Sequence, residues 1–185
     1  MNFPTLKTKR LILNHPTEND LEDLIQHLNS DKVFSENTLN IPFPYQKPHA
    51  EFFLNELVNK GFEEKTNFTF AIREKENPQL IGAIGIHLDK NHQKAEIGYW
   101  LGKEFWNKGY ISESLLEILK FAFQELKLNK IYATHFPHNP ASGRIMQKCG
   151  MNLEAVLKQE YFKNGNSIDV FRYSILKEDF INLES

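Results

Sequence analysis

The chain has 185 residues, enough for one domain with a sizeable core, and its 41% apolar and 25% charged residues are those of an ordinary soluble globular protein. A net charge of −2, with Lys and Arg scattered rather than gathered into a stripe, argues against nucleic-acid binding driven by counterion release. One cysteine excludes an internal disulfide framework and suits a reducing compartment; with no apolar leader in residues 1–10 and no apolar run near the ~20 residues that span a bilayer, the expectation is a cytoplasmic protein with no membrane contact.

Residues 10–13 read as a first strand. Residues 17–28 read as a helix. Thr17 is a candidate N-cap with Asp20 three positions on, and Leu21, Leu24, Ile25 and Leu28 follow the helical period. Residues 37–48 read as a loop punctuated by Pro42, Pro44 and Pro48. A second helix is expected over 49–60, with Phe52, Phe53, Leu57 and Val58 near one face and Gly61 placed to end it. From residue 68 the period becomes two. Strands at 68–73, 80–86 and 95–101, joined by short links, favour an antiparallel meander. A helix over 112–126 buries Leu115, Ile118, Leu119, Ala122, Phe123 and Leu126. A strand follows at 130–135, then a helix that starts at Asn139-Pro140 and closes at Gly150. Residues 156–162 and 168–175 form a hairpin around Asn164-Gly165-Asn166. With no repeat or linker, this order predicts one α/β domain on a mixed sheet, spanning residues 1–185.

The chemistry concentrates where the strand at 95–101 meets the helix at 112. The run Trp106-Asn107-Lys108-Gly109-Tyr110-Ile111-Ser112-Glu113 sets a glycine turn just before a helix start. Such a turn points backbone N–H groups outward, and the positive end of the helix dipole adds to them, so the expected ligand carries phosphate.

These residues resemble the GCN5-related N-acetyltransferase (GNAT) superfamily, and within it the branch that acetylates the N-terminal amines of ribosomal proteins. Four segments carry the resemblance: 10–13, 95–101, 105–116, and 139–151, the last reading Asn-Pro-Ala-Ser-Gly-Arg-Ile-Met-Gln-Lys-Cys-Gly-Met. The resemblance implies a mixed central sheet with a V-shaped opening between the strands at 95–101 and 130–135, flanked by helices. It implies acetyl-CoA as cosubstrate, its pyrophosphate on the amides of Asn107, Lys108, Gly109, Tyr110, Ile111 and Ser112, with Trp106 also at the cosubstrate site. The pantetheine arm would run along Tyr99, Trp100 and Leu101, with Asn139 and Ser142 near the thiol end. The acceptor amine would attack directly, without an acyl-enzyme. Two positions depart from the general pattern. Trp106 stands where Arg or Gln is common, and Ile111 where a small residue is common, so a branched side chain is expected to crowd the phosphates.

Single residues have two readings each. Glu96, in an otherwise apolar strand, is either a carboxylate satisfied by a neighbour or a general base. An α-amine with a reference pKa of about 7.7–8.0 costs only about 1 kcal/mol to neutralise at pH 7, against about 4.6 kcal/mol for a lysine, so a modest base suffices for an N-terminal acceptor. Ser142 either caps its helix or, as the resemblance implies, approaches the CoA sulfur and protonates the leaving thiolate. Tyr110 reads as packing. Phe43, Tyr45 and Tyr161 are candidate walls of an acceptor pocket between the loop at 34–48 and the hairpin at 160–170. The seven histidines are scattered, with His135 and His138 lacking further ligands, so no metal is expected. Cys149 reads as buried and apolar rather than nucleophilic. Transfer to a small amine and non-catalytic acyl-CoA binding stay open beside N-terminal acetylation, as does binding of another phosphate ligand.

Overall fold

The computed structural model describes residues 2–184. Its frame is an eight-stranded sheet in the order β1-β2-β3-β4-β5-β6-β8-β7. The strands are β1 (Leu6–Lys7), β2 (Leu11–Asn14), β3 (Asn67–Glu74), β4 (Gly82–Asp89), β5 (Lys94–Leu101), β6 (Lys130–His135), β7 (Asn152–Lys163) and β8 (Asn166–Leu176). Every pairing is antiparallel except β5 with β6. Those two are joined by α5 (Tyr110–Gln124), the helical crossover that a parallel pair requires.

Strand alternation divides the core between the two faces. On one face Phe70, Ile72, Ile84, Ile86, Ala95, Ile97 and Ile131 pack with Leu115, Ile118, Leu119 and Ala122 of α5. On the other, Ala71 and the half-buried Trp100 pack with Leu24 and Leu28 of α1 (Leu21–Asn29), Phe34 of α2 (Val33–Asn37) and Ala50 of α3 (Lys47–Phe52). These helices cover the sheet from β2 to β4 and leave the second face of β5 and β6 less covered. Beneath them Arg73 of β3 makes a two-pronged ion pair with the buried Asp20, at 2.7 and 2.8 Å, and its Nε donates to Asn14 at 2.9 Å.

Four elements differ from the sequence reading. The short β1 and the one-turn α2 carry too few residues to show a period. A C-terminal helix, α7 (Lys177–Glu184), is anchored by buried Phe180 against Phe123, ring centroids 5.3 Å apart. The helix expected to stop at Gly61 instead starts at Lys47, passes through a π-helical stretch (Phe53–Lys60) and runs on through α4 (Gly61–Glu63). Gly61 has ordinary helical angles, φ −59° and ψ −37°, so it is not a stop. It lies against β3, where an added Cβ would sit 2.7 Å from Asn67 Cβ. That atom is fixed to the backbone and cannot rotate away. Gly61→Ala is therefore expected to destabilise by about 1–3 kcal/mol despite alanine's better helix propensity, lowering Tm by roughly 2–12 °C, as differential scanning calorimetry would show.

Candidate active site

The site begins where the parallel pairing of β5 with β6 fails. β5 and β6 are in register at Lys94↔Lys130, Ala95↔Ile131 and Glu96↔Tyr132, and no pair follows. From Ile97 to Leu101 β5 keeps only its β4 partner, so the edge facing β6 lies open. This is a V with Glu96 at its apex. Across it, the Tyr99 hydroxyl donates to the Ser142 carbonyl at 3.2 Å, tying β5 to the first turn of α6 (Pro140–Lys148). Burial holds the Tyr99 phenol well above its ordinary pKa, so it stays a donor. Asn139 caps α6 through its side-chain carbonyl, which accepts the Ser142 N–H at 3.4 Å, while its amide donates to the Ser142 hydroxyl at 3.1 Å. The hydroxyl is left with its own proton to give.

At the mouth of the V lies the glycine turn. Asn107 and Gly109 both take left-handed backbone angles, φ +61° and +78°. Gly109 is the N-cap of α5 and offers no capping side chain. The first helical bond runs from the Glu113 N–H to the Gly109 carbonyl, so the amides of Tyr110, Ile111 and Ser112 have no helical acceptor. The turn is braced from behind. Arg10 donates from Nη1 to the Lys108 carbonyl at 2.9 Å and from Nε to Glu113 at 2.7 Å, and its guanidinium lies 4.6 Å from the centre of the Tyr110 ring. Trp106 donates its indole N–H to the Leu101 carbonyl at 2.6 Å, which occupies one acceptor of the open β5 edge. Three preorganised amides at a helix start suit an anionic group.

On the second face, next to the apex, polar groups converge. Glu96 Oε1 accepts from the Thr134 hydroxyl at 3.1 Å. Tyr161, from β7, comes near the same carboxylate, and its phenol is held above its ordinary pKa first by burial and then by the nearby charge of Glu96. Tyr132 is raised for the same two reasons in the same order. His87 of β4 is the direct cross-strand partner of Glu96. Beyond Glu96 on this face comes Gly98, where an added Cβ would meet nothing within 4 Å. The result is a trough over Gly98 with a carboxylate at its end. A glycine inside a central strand is the signal that a sequence reader can use for such a close approach.

The other singled-out residues fall elsewhere. Tyr45 is in the core, 5% exposed, with its hydroxyl on the His49 carbonyl and its pKa pushed up to about 12 by burial, so it is not a pocket wall. Phe43 is exposed, with the Lys32 ammonium 5.6 Å from its ring centre. Trp100 faces away from α5 and packs edge-on to Phe34. Ile111 does not crowd the turn: it is 7% exposed and points into the α5 core. Lys108 holds its ammonium 5.0 Å from the Phe105 ring centre. Tyr110 is buried, and its hydroxyl donates to Glu74. Cys149 is buried, with its thiol on the Ser112 carbonyl and its pKa pushed up to about 11 by burial; it offers little thiolate at neutral pH. Among the described residues no three His, Cys, Asp or Glu side chains are grouped to hold a metal, and no helix is long and apolar enough to cross a membrane.

A splayed parallel pair with an uncapped helix start at its mouth and a carboxylate at its apex makes a cleft suited to an anionic ligand. Residues 10–152 match the acetyltransferase (GNAT) domain family. The chain belongs to this family of N-acetyltransferases. It is 33% identical over 176 residues to an uncharacterized N-acetyltransferase of Bacillus subtilis, YoaA, covering 95% of this chain and 98% of the relative. Against the spermidine N(1)-acetyltransferase of Vibrio cholerae it is 29% identical over 140 residues, 75% of this chain and 80% of that one. Against the ribosomal-protein-serine acetyltransferase of Escherichia coli it is 28% identical over 170 residues, 90% and 93% of the two chains. Among solved structures, RimL, a ribosomal L7/L12 alpha-N-protein acetyltransferase in complex with coenzyme A, superposes with a TM-score of 0.84 at 19% identity, over 94% of this chain and 98% of that one.

Proposed function

We propose that residues 1–185 form a single catalytic domain that transfers acetyl from acetyl-CoA to a protein N-terminal α-amine. The observation that carries this reading is the placement of Glu96 at the point where β5 and β6 part. The amides of Tyr110 to Ser112 would hold the pyrophosphate, and the open β5 edge from Tyr99 to Leu101 the pantetheine. Acetyl-CoA supplies the activated acetyl thioester. Glu96, directly or through a water, takes the proton from an amine seated over Gly98. A β5 amide at the apex stabilises the developing oxyanion, and Ser142 returns a proton to the leaving sulfur. The high pKa of Cys149 accords with direct attack rather than a thioacyl-enzyme. The ribosomal-protein-serine relative supports the acceptor class. The spermidine relative makes a small polyamine the second reading.

Incubation with acetyl-CoA and serine-initiated peptides, followed by tandem mass spectrometry, tests the acceptor. One acetyl on the α-amine is expected. Acetylation confined to spermidine would favour the second reading, and thiol release with neither would remove both acceptors.

A further inference from the structure

The face that carries Glu96 also carries a cation that the proposed chemistry does not use. Arg172 of β8 is the cross-strand partner of Thr134, the residue that donates to Glu96. Its guanidinium carbon lies 5.0 Å from the centre of the Tyr132 ring. Among the described residues its one ion-pair partner is Glu160, at 3.9 Å, and that pair is partly exposed. Among the same residues its buried Nε has no hydrogen-bond partner. A guanidinium carries five donors, and a buried one left unmade costs about 1–3 kcal/mol. One long, exposed pair does not make up for that. Arg172 is thus a guanidinium over the Tyr132 ring, with a donor to spare, on the face that carries Glu96.

We infer that Arg172 selects acceptors carrying a carboxylate within a few bonds of the reacting amine. The inference rests on the reading of Glu96 as the group that meets the amine. Glu96 and Arg172 stand on the same face, separated by β6, and both lean over its residues: Glu96 onto Thr134, Arg172 onto Tyr132. Strands lie about 4.8 Å apart, so the two strands are about 10 Å apart laterally, with Arg172 set two residues further along β6 than Glu96. An acceptor with its ammonium on one side chain and a carboxylate on the other would span this stretch of the face with two charge-assisted contacts. Two sources share this chemistry. One is a peptide with Asp or Glu among its first two residues; the other is a free amino acid. A polyamine carries only positive charge and meets Arg172 as a like charge, which disfavours it.

The test measures kcat/KM for acetylation of four acceptors: peptides beginning Ser-Asp, Ser-Ala and Ser-Lys, and free glutamate. Each is run with the wild type and with Arg172→Gln, Arg172→Lys and Arg172→Glu, whose folding is checked by Tm. The expected ratio of Ser-Asp to Ser-Ala is at least about tenfold in the wild type. It falls to near unity in Arg172→Gln, recovers only partly in Arg172→Lys, which lacks the bidentate fork, and reverses toward Ser-Lys in Arg172→Glu. Glutamate preferred over every peptide would keep the inference and assign the free amino acid as the source. A wild-type ratio near unity, or one unchanged in Arg172→Gln, would overturn the inference and leave the transferase intact. If no acceptor turns over although acetyl-CoA binds, the Ser-Asp peptide must still raise the Tm of the CoA-bound protein, and Arg172→Gln must abolish that rise. Its absence in the wild type overturns the inference as well.

Discussion

Replacing Glu96 by Gln is expected to lower kcat/KM for the acceptor amine by on the order of 10²–10⁴, the usual contribution of a positioned base. The substitution keeps the size of the side chain and its contact with Thr134, since a Gln carbonyl accepts the same hydrogen bond. What it removes is the capacity to take a proton. The loss therefore depends on pH in a defined direction. Below the reference α-amine pKa of about 7.7–8.0 most of the amine is protonated and needs the base, so the deficit is largest there. Above that pKa solvent delivers the neutral amine, and the deficit shrinks. Rates from pH 6 to pH 9 for both proteins, followed by thiol release, show the convergence. A deficit that is flat with pH would make Glu96 a binding group only.

The second large effect is expected at the glycine turn. Gly109 holds φ +78°, where an L side chain is strained, but aspartate tolerates this region better than most residues. A Cβ there would have Arg10 Nη2 at 3.5 Å as its nearest neighbour. Gly109→Asp is therefore expected to fold at a modest cost of about 1–2 kcal/mol and to place a carboxylate among the amides that would hold the pyrophosphate. The expected loss in acetyl-CoA affinity is roughly 10- to 100-fold, which is about 1.4–2.8 kcal/mol by isothermal titration. Pairing of the new carboxylate with Arg10 would loosen that side chain from the Lys108 carbonyl and add to the loss. An unchanged dissociation constant would take the turn out of the cosubstrate site.

The sheet and its crossover were legible because they rest on strong periodic signals. The alternation from residue 68, the apolar stripe of α5 and the Asn139-Pro140 helix start all appear as read, with ends shifted by a few residues. Elements of one turn or two residues, α2 and β1, have no period to detect. The Gly61 misreading has a definite cause. A glycine after a helical pattern signals a stop when it supplies a positive φ, but here it supplies the absence of a side chain against β3. The glycine turn and the Glu96 position were readable because they lie within one strand–turn–helix segment. Of the residues around Glu96, Tyr161 was named from sequence as a candidate wall, but Thr134 and Arg172 were not. They come from two further strands, and only the order β5-β6-β8-β7 brings them beside Glu96. Tyr45 illustrates the converse. From sequence it reads as a pocket wall with the loop at 34–48, yet it lies in the core with its hydroxyl on the His49 carbonyl. Ile111 looked obstructive because a linear sequence hides which way the first turn of a helix faces. In α5 that direction is inward.

Thermal unfolding with and without excess acetyl-CoA tests the account at its centre. A ligand that binds only the folded state adds about 2.7 kcal/mol at 100 times its dissociation constant, which for a chain of this size raises Tm by roughly 5–10 °C. The account predicts a rise of that size with acetyl-CoA and none with ATP at the same concentration. No shift at millimolar acetyl-CoA would contradict it, because the open β5 edge and the uncapped start of α5 would then hold something other than the acetyl donor.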